Sequence, residues 1–336
     1  MRFEHDILRH RKEMGNIIHY NPHRNWPISR LRNKYVSLGL DYDFPFIDRS
    51  ESIPHYLDIK PMSKPLRFDK SFNYSFYDII TGQSLIILGL GLKVNILWSG
   101  GLDSTAALVA LLSNAKDKNQ IRIVANYNSI IESGYLYDTF FKKYDCIIDT
   151  SGGRQSFKND ELYITGALGN QLFSLGSFEL KHDIKDLNKP YKEVINPKEF
   201  EFLESAMEFC PRPIETLEDY LWFKTYMFKW DHQRLAMINK WIQPKSVKEH
   251  LYFIRGFYYN ELFEQWSIHR SEQQHDLKNY EYTSKLPMRK YILKELGKEA
   301  EDYVWGKKIT HSIFTPYRNN YKYTTEDYRV HYDTSL

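Results

Sequence analysis

Ser99, Gly100, Gly101, Asp103, Ser104 and Thr105 stand together in the sequence SGGLDST. That density of hydroxyls and glycines suits an anion. Gly100 and Gly101 lack a Cβ, so the chain can turn sharply and a phosphate can approach the backbone. Asp103 is out of place beside a phosphate unless a cation joins it. A carboxylate next to pyrophosphate can hold Mg2+, which takes one or two carboxylates together with phosphate oxygens.

The flanking residues say what must position this set. Val94, Ile96 and Trp98 alternate with Asn95 and Leu97, the period of a strand. Asp103-Ser104-Thr105 are helix starters, and the run to Leu112 is apolar enough for a buried helix. Strand, glycine turn and helix start bring unpaired backbone N–H groups and the positive end of the helix dipole to one point. The spacing is not that of GxxxxGK[ST], nor of the dinucleotide fingerprint GxGxxG. Gly89 and Gly91 precede the strand and have no helix after them.

Downstream the chain alternates. Strands are expected at 121–127, 145–149 and 161–165, with a helix at 135–144 between the first two. Strands alternating with helices predict an α/β fold, a parallel sheet with helices on both faces. Ligands of such sheets sit at the carboxyl ends of the strands. Ser99, Asn126, Thr150 and Gly166 all end or follow an expected strand and so could share one crevice. From 198 onward the pattern turns helical. Leu217, Leu221, Phe228, Leu235 and Ile238 mark one helix face, thickened by Trp222, Phe223, Trp230 and Trp241. Further helices are expected at 251–266 and 288–296.

The string Ser99-Gly100-Gly101-Leu102-Asp103-Ser104 after a strand resembles the SGGxDS signature of the PP-loop, or N-type, ATP pyrophosphatases. Thr165-Gly166-Ala167-Leu168-Gly169-Asn170-Gln171 resembles the second loop of the asparagine synthetase-type members. Asp231-His232-Gln233-Arg234-Leu235-Ala236-Met237 resembles their "DR..M" helix. Lys285-Leu286-Pro287-Met288-Arg289 resembles their later lysine segment. The likeness spans roughly residues 93–310. It implies a PP-loop (adenine nucleotide alpha hydrolase-like) core with a helical C-terminal lobe, and ATP and Mg2+ as the bound species. Ser99, Gly100, Gly101, Ser104 and Thr105 would hold pyrophosphate, with Gly166 and Asn170 in the second loop beside it. Asp103 would help hold Mg2+. Adenine would lie near Leu97 and Asn126. Lys285 would cover the outer phosphates, with Arg289 one turn later assisting it. The implied activity adenylates an acceptor oxygen, a carboxylate by preference, and then passes a nitrogen nucleophile to it.

The departures are specific. Where the family's second loop carries a glutamate, Ala167 stands. Where it carries acids, Asn170 and Gln171 stand, and amides can neither supply a negative charge nor take a proton. The phosphate half of the machinery is therefore better supported than the amide-forming half. The family's glutaminase nucleophile is a cysteine just after the initiator methionine; here that position is Arg2, and residues 1–92 hold no cysteine. The expected partners are a small-molecule acceptor and ammonia or an amine, free or from a separate glutaminase. Two other readings stay open: a lysidine-type RNA-modifying enzyme, which needs no cysteine, and a non-catalytic nucleotide binder.

Composition sets the outer bounds. The chain has 336 residues, 42% hydrophobic and 26% charged, as in soluble globular proteins. A net charge of +3, with no basic block, does not advertise a nucleic-acid surface. Cys146 and Cys210 are the only cysteines, which excludes a disulfide framework and a CxxC metal site and fits a reducing, cytoplasmic setting. The N-terminus has no apolar signal core, and the longest apolar run, 85–92, is too short for a bilayer. Four prolines between 45 and 72 predict a linker or wrapping arm, and one helix is expected near 6–13. The expected division is 1–92 as an N-terminal region and 93–336 as the synthetase domain. Within the latter, 93–180 would form the nucleotide-binding core and 198–310 the helical lobe.

Overall fold

The computed structural model describes residues 47–53, 63–149, 160–173, 184–231, 254–269 and 285–305, with short pieces at 18–19, 58–59, 61, 158, 321–324 and 329–332. The expected helix near 6–13, Thr150, and the segment holding Arg234, Leu235, Ile238 and Trp241 lie outside the described residues.

The chain divides into two compact units, neither continuous in sequence. One unit takes Phe68–Phe173 and Glu249–Thr315; the other takes Met1–Arg67, Ser174–Lys248 and Pro316–Leu336. The stretch 198–310 is thus shared between the two units, with the helix Leu286–Leu296 packing on the helix Leu102–Asn114.

The first unit is built on a five-stranded sheet, all parallel: β1 Lys93–Trp98, β2 Ile121–Asn126, β3 Cys146–Asp149, β4 Glu161–Thr165 and β5 Ile254–Gly256. Its order is β3-β2-β1-β4-β5, so β1 is central. Leu97 lies level with Val124 on one side and Thr165 on the other. The architecture is α/β, as the alternation implies. β5 corrects one expectation: Ile254-Arg255-Gly256 sits inside the run read as a helix at 251–266, and that helix begins only at Glu261.

Helices α1 Phe76–Leu88, α2 Leu102–Asn114, α3 Tyr127–Leu136, α4 Gly169–Leu172, α5 Glu261–His269, α6 Leu286–Leu296 and α7 Glu301–Trp305 complete the unit. α1 starts on a reciprocal cap between Ser75 and Asp78. α2 is buried on nearly every side from Ser104 to Leu112 and packs against α1, α6 and the sheet. α3 begins eight residues before the helix expected at 135–144. Asn126 ends its strand and caps α3 in one step, accepting from Ser129 N and Ser129 Oγ at 2.8 and 2.9 Å.

In the other unit, helix Leu217–Lys224 runs into a π-turn, Thr225–Lys229. Such a turn disturbs the regular ladder and frees carbonyls. Three are taken by the segment at 47–49: Ile47 N donates to Phe228 O (3.0 Å), Arg49 N to Met227 O (3.1 Å) and Arg49 Nη1 to Tyr226 O (3.3 Å). The Arg49 guanidinium also stacks 4.8 Å from the Tyr226 ring.

A charged network ties the amino ends of the strands together. Asp145 accepts from Lys93 (2.9 Å) and Arg122 (3.0 Å); Glu161 accepts from Asn95 (2.8 Å) and Lys158 (3.1 Å). The bond from Lys93, helped by Arg122, holds the Asp145 carboxyl below its ordinary range. Burial pushes Glu161 up, but the bonds from Asn95 and Lys158 outweigh it, so its carboxyl too is depressed. Stability from a depressed carboxyl is fully present above its unfolded pKa and is lost as pH falls through the folded value. The thermal stability of the wild type should therefore fall as the pH is lowered from about 5 to 3. Asp145→Asn should flatten that acid slope. An unchanged slope in the variant would detach the network from acid stability.

Candidate functional site

The turn Ser99-Gly100-Gly101 joins the carboxyl end of the central strand to the start of α2. Gly100 has φ +80°, a conformation that costs glycine little and other residues much. A Cβ there would also meet Ser129 O at 2.7 Å. Gly101 caps α2 and has no side chain to accept from the first-turn N–H groups, which suits an anion in that role.

The serines of the loop bond mainly to each other. Ser104 Oγ donates to Gly101 O (3.1 Å) and accepts from Ser99 N (3.1 Å), and the two serine oxygens are 2.9 Å apart. With its one proton committed to Gly101 O, Ser104 accepts from Ser99 Oγ. These hydroxyls hold the loop's shape. Thr105, expected to donate to phosphate, is fully buried. Its Oγ1 lies 2.9 Å from Trp98 Nε1 and 2.8 Å from Tyr303 Oη, so its hydroxyl serves the interior.

The second loop lies flush against the first turn of α2. A Cβ on Gly166 would fall 2.6 Å from Ser104 N, and one on Gly169 would fall 2.5 Å from Asp103 Cγ. Both glycines are therefore required by close approach. Between them Leu168 has φ +72°. Asn170 is exposed on α4, Ala167 N donates to Thr165 Oγ1 (3.2 Å), and neither side chain brings a carboxylate.

Lys285 reaches Asp103 from the start of α6. Its Nζ lies 2.6 Å from Asp103 Oδ1 and 2.8 Å from Oδ2. Lys285 also has φ +56°, so two of the three non-glycine residues with positive φ among those described, Leu168 and Lys285, flank Asp103. A left-handed non-glycine residue costs about 1–2 kcal/mol. A partly exposed ion pair returns about 1 kcal/mol or less. Stability alone does not account for that geometry, and strain of this kind gathers at functional sites.

Two tyrosines, Tyr258 and Tyr303, hold the loop's carbonyls and were not singled out in the sequence. Tyr258 Oη donates to Asp103 O at 2.8 Å, and Tyr303 Oη lies 2.9 Å from Gly100 O. Burial pushes both hydroxyls above the ordinary tyrosine range, so both remain donors at neutral pH. Asn126 and Leu97 stand at the ends of β2 and β1 as expected. Leu97 is buried, and Asn126 Oδ1 is committed to capping α3. Arg289, expected beside Lys285, is buried and bonds Val304 O, with its guanidinium near the Trp305 ring. It ties α6 to α7.

The donor set can be tested for Mg2+. Asp103 Oδ1 and Oδ2 both face Lys285, yet each oxygen keeps a second lone pair and the side chain is 20% exposed. No cluster of three acidic, histidine or cysteine side chains suited to a metal is found among the described residues. The fit is to an ion held by Asp103 and by phosphate oxygens together, the usual manner of Mg2+ with nucleotides.

Gly166→Ala must displace backbone, whereas Gly82, within α1, has nothing within 4 Å of an added Cβ. Gly166→Ala should cost about 1–3 kcal/mol in denaturant unfolding. Gly82→Ala should stabilise by about 0.5–1 kcal/mol. Equal effects of the two substitutions would contradict the close approach at Gly166. The sequence matches no protein-family model and no curated protein.

Proposed function

We propose that the chain is an ATP pyrophosphatase of the ligase type. The observation that carries the reading is the SGGLDS turn at the carboxyl end of the central parallel strand, with an ammonium from Lys285 set on its aspartate. An acceptor oxygen, a carboxylate by preference, attacks the α-phosphorus of ATP. The bond to the β-phosphate breaks, pyrophosphate leaves with the electron pair, and an adenylate forms. A nitrogen nucleophile then displaces AMP.

The residues' part is positioning and charge stabilisation. The backbone N–H groups of Gly101 and the first turn of α2 hold pyrophosphate, and the serine bonds keep that cradle rigid. Lys285 faces the charge that grows on the leaving group. Asp103, with phosphate oxygens, holds Mg2+, which when bound neutralises phosphate charge. A binder without turnover is the second reading; it is favoured by Ala167 and Asn170, which bring no carboxylate to the second loop.

Cleavage position tests the chemistry. ATP labelled at the α-phosphate should yield labelled AMP, and γ-label should emerge in pyrophosphate. ADP and orthophosphate as primary products would overturn the assignment.

Lys285 and Asp103 separate enzyme from binder. Asp103→Asn should weaken the Mg2+-dependent part of ATP binding. Lys285→Ala should lower turnover roughly a hundredfold, with a smaller loss of ATP affinity, because the charge it meets develops in the transition state. A binder would show no turnover in the wild type and only affinity losses in both variants. Intact turnover in Lys285→Ala would remove the role given to the lysine.

A further inference from the structure

Two hydroxyls converge on the carbonyl of Gly100. Ser133 Oγ lies 2.6 Å from it and Tyr303 Oη 2.9 Å. A carbonyl only accepts, so both hydroxyls face Gly100 O as donors. Tyr303 Oη is also directed at Thr105 Oγ1 (2.8 Å), which accepts from Trp98 Nε1 as well. The Tyr303 hydroxyl is thus held between the Gly100 carbonyl and Thr105, and Ser133 reaches the carbonyl separately.

Ser133 reaches this place at a backbone cost. Its φ and ψ of −144° and 44° leave the helical region in the middle of α3. A helical serine ordinarily bonds a carbonyl one turn back; this one bonds a carbonyl 33 residues away. Ser133, Thr105 and Trp98 are all buried.

The consequence follows from peptide geometry. In a planar trans peptide the C=O and the next N–H point in opposite directions. Donors that pin Gly100 O therefore aim the Gly101 N–H the other way. That N–H meets only a long contact to Ser99 Oγ, at 3.4 Å, which a charged phosphate oxygen would readily replace.

We propose that Tyr303 and Ser133 are positioning residues for phosphate: they clamp the Gly100–Gly101 peptide so that the Gly101 N–H is presented to the anion before it arrives. This rests on the reading of the SGGLDS loop as a phosphate site. Without the clamp the glycine peptide can rotate, and binding must then order it.

The test uses the full-length chain and four variants: Tyr303→Phe, Ser133→Ala, Ser133→Thr and the Tyr303→Phe/Ser133→Ala pair. Inorganic pyrophosphate and ATP with Mg2+ are titrated calorimetrically, Tm is read for each protein, and amide exchange of Gly101 is followed without ligand. Tyr303→Phe and Ser133→Ala should each weaken pyrophosphate binding about tenfold. The double variant should lose at least the product of the two, since neither of these hydroxyls then remains on the carbonyl. Ser133→Thr should keep near-wild-type affinity. Gly101 exchange should quicken in Tyr303→Phe while Tm moves by a few degrees at most. Unchanged Gly101 exchange in the double variant would overturn the clamp, as would wild-type pyrophosphate affinity in that variant. Absence of pyrophosphate and ATP binding by the wild type would instead overturn the phosphate reading of the loop, and the Gly101 exchange in ligand-free protein would still decide whether the peptide is clamped.

Discussion

The first turn of α2 can lie against the second loop only because no side chain stands at Gly166 or Gly169. Everything proposed for the site depends on that approach. It brings Asp103 beside the second loop, within reach of Lys285 from the start of α6. It also leaves Gly101, a cap without a side chain, at the carboxyl end of the central strand. Any Cβ at Gly166 would have to push on backbone nitrogen, which has no rotamer to escape into.

The arrangement separates two tasks that a sequence motif runs together. The hydroxyls of Ser99, Ser104 and Thr105 bond to the loop, to Trp98 and to Tyr303. They fix shape. The backbone N–H groups and the Lys285 ammonium are what remains to meet a ligand. A site organised so has its donors in place before the charge arrives, the condition under which electrostatic stabilisation is worth most.

The strand–turn–helix around SGGLDS was legible because periodicity, glycines and helix starters agree over a short span. β2, β3 and β4 were legible for the same reason. β5 was not: three residues ending in Gly256 lie in an apolar run that fits a helix as well. The start of α3 was missed because its cap pairs Asn126 with Ser129, where the usual signature has Glu or Gln at the later position. Arg289 was placed by helix spacing, but spacing says nothing of α7, whose Val304 carbonyl takes its head group. Tyr258 and Tyr303 are two of 26 tyrosines, and no local pattern marks them out. Their role exists only once chain segments 155 and 203 residues away are folded beside them.

Those separations have a consequence for synthesis. At about 5–20 residues per second, the ribosome takes roughly 10–40 s to go from Asp103 to Lys285. Within that interval, from the completion of β4 at Thr165 to the arrival of β5 at Ile254, β4 is an edge strand with unpaired backbone groups. A nascent chain of that length carries the whole SGGLDS loop but neither its ammonium nor the Tyr303 hydroxyl. Any ligand that needs both groups would therefore meet a complete site only on the finished chain.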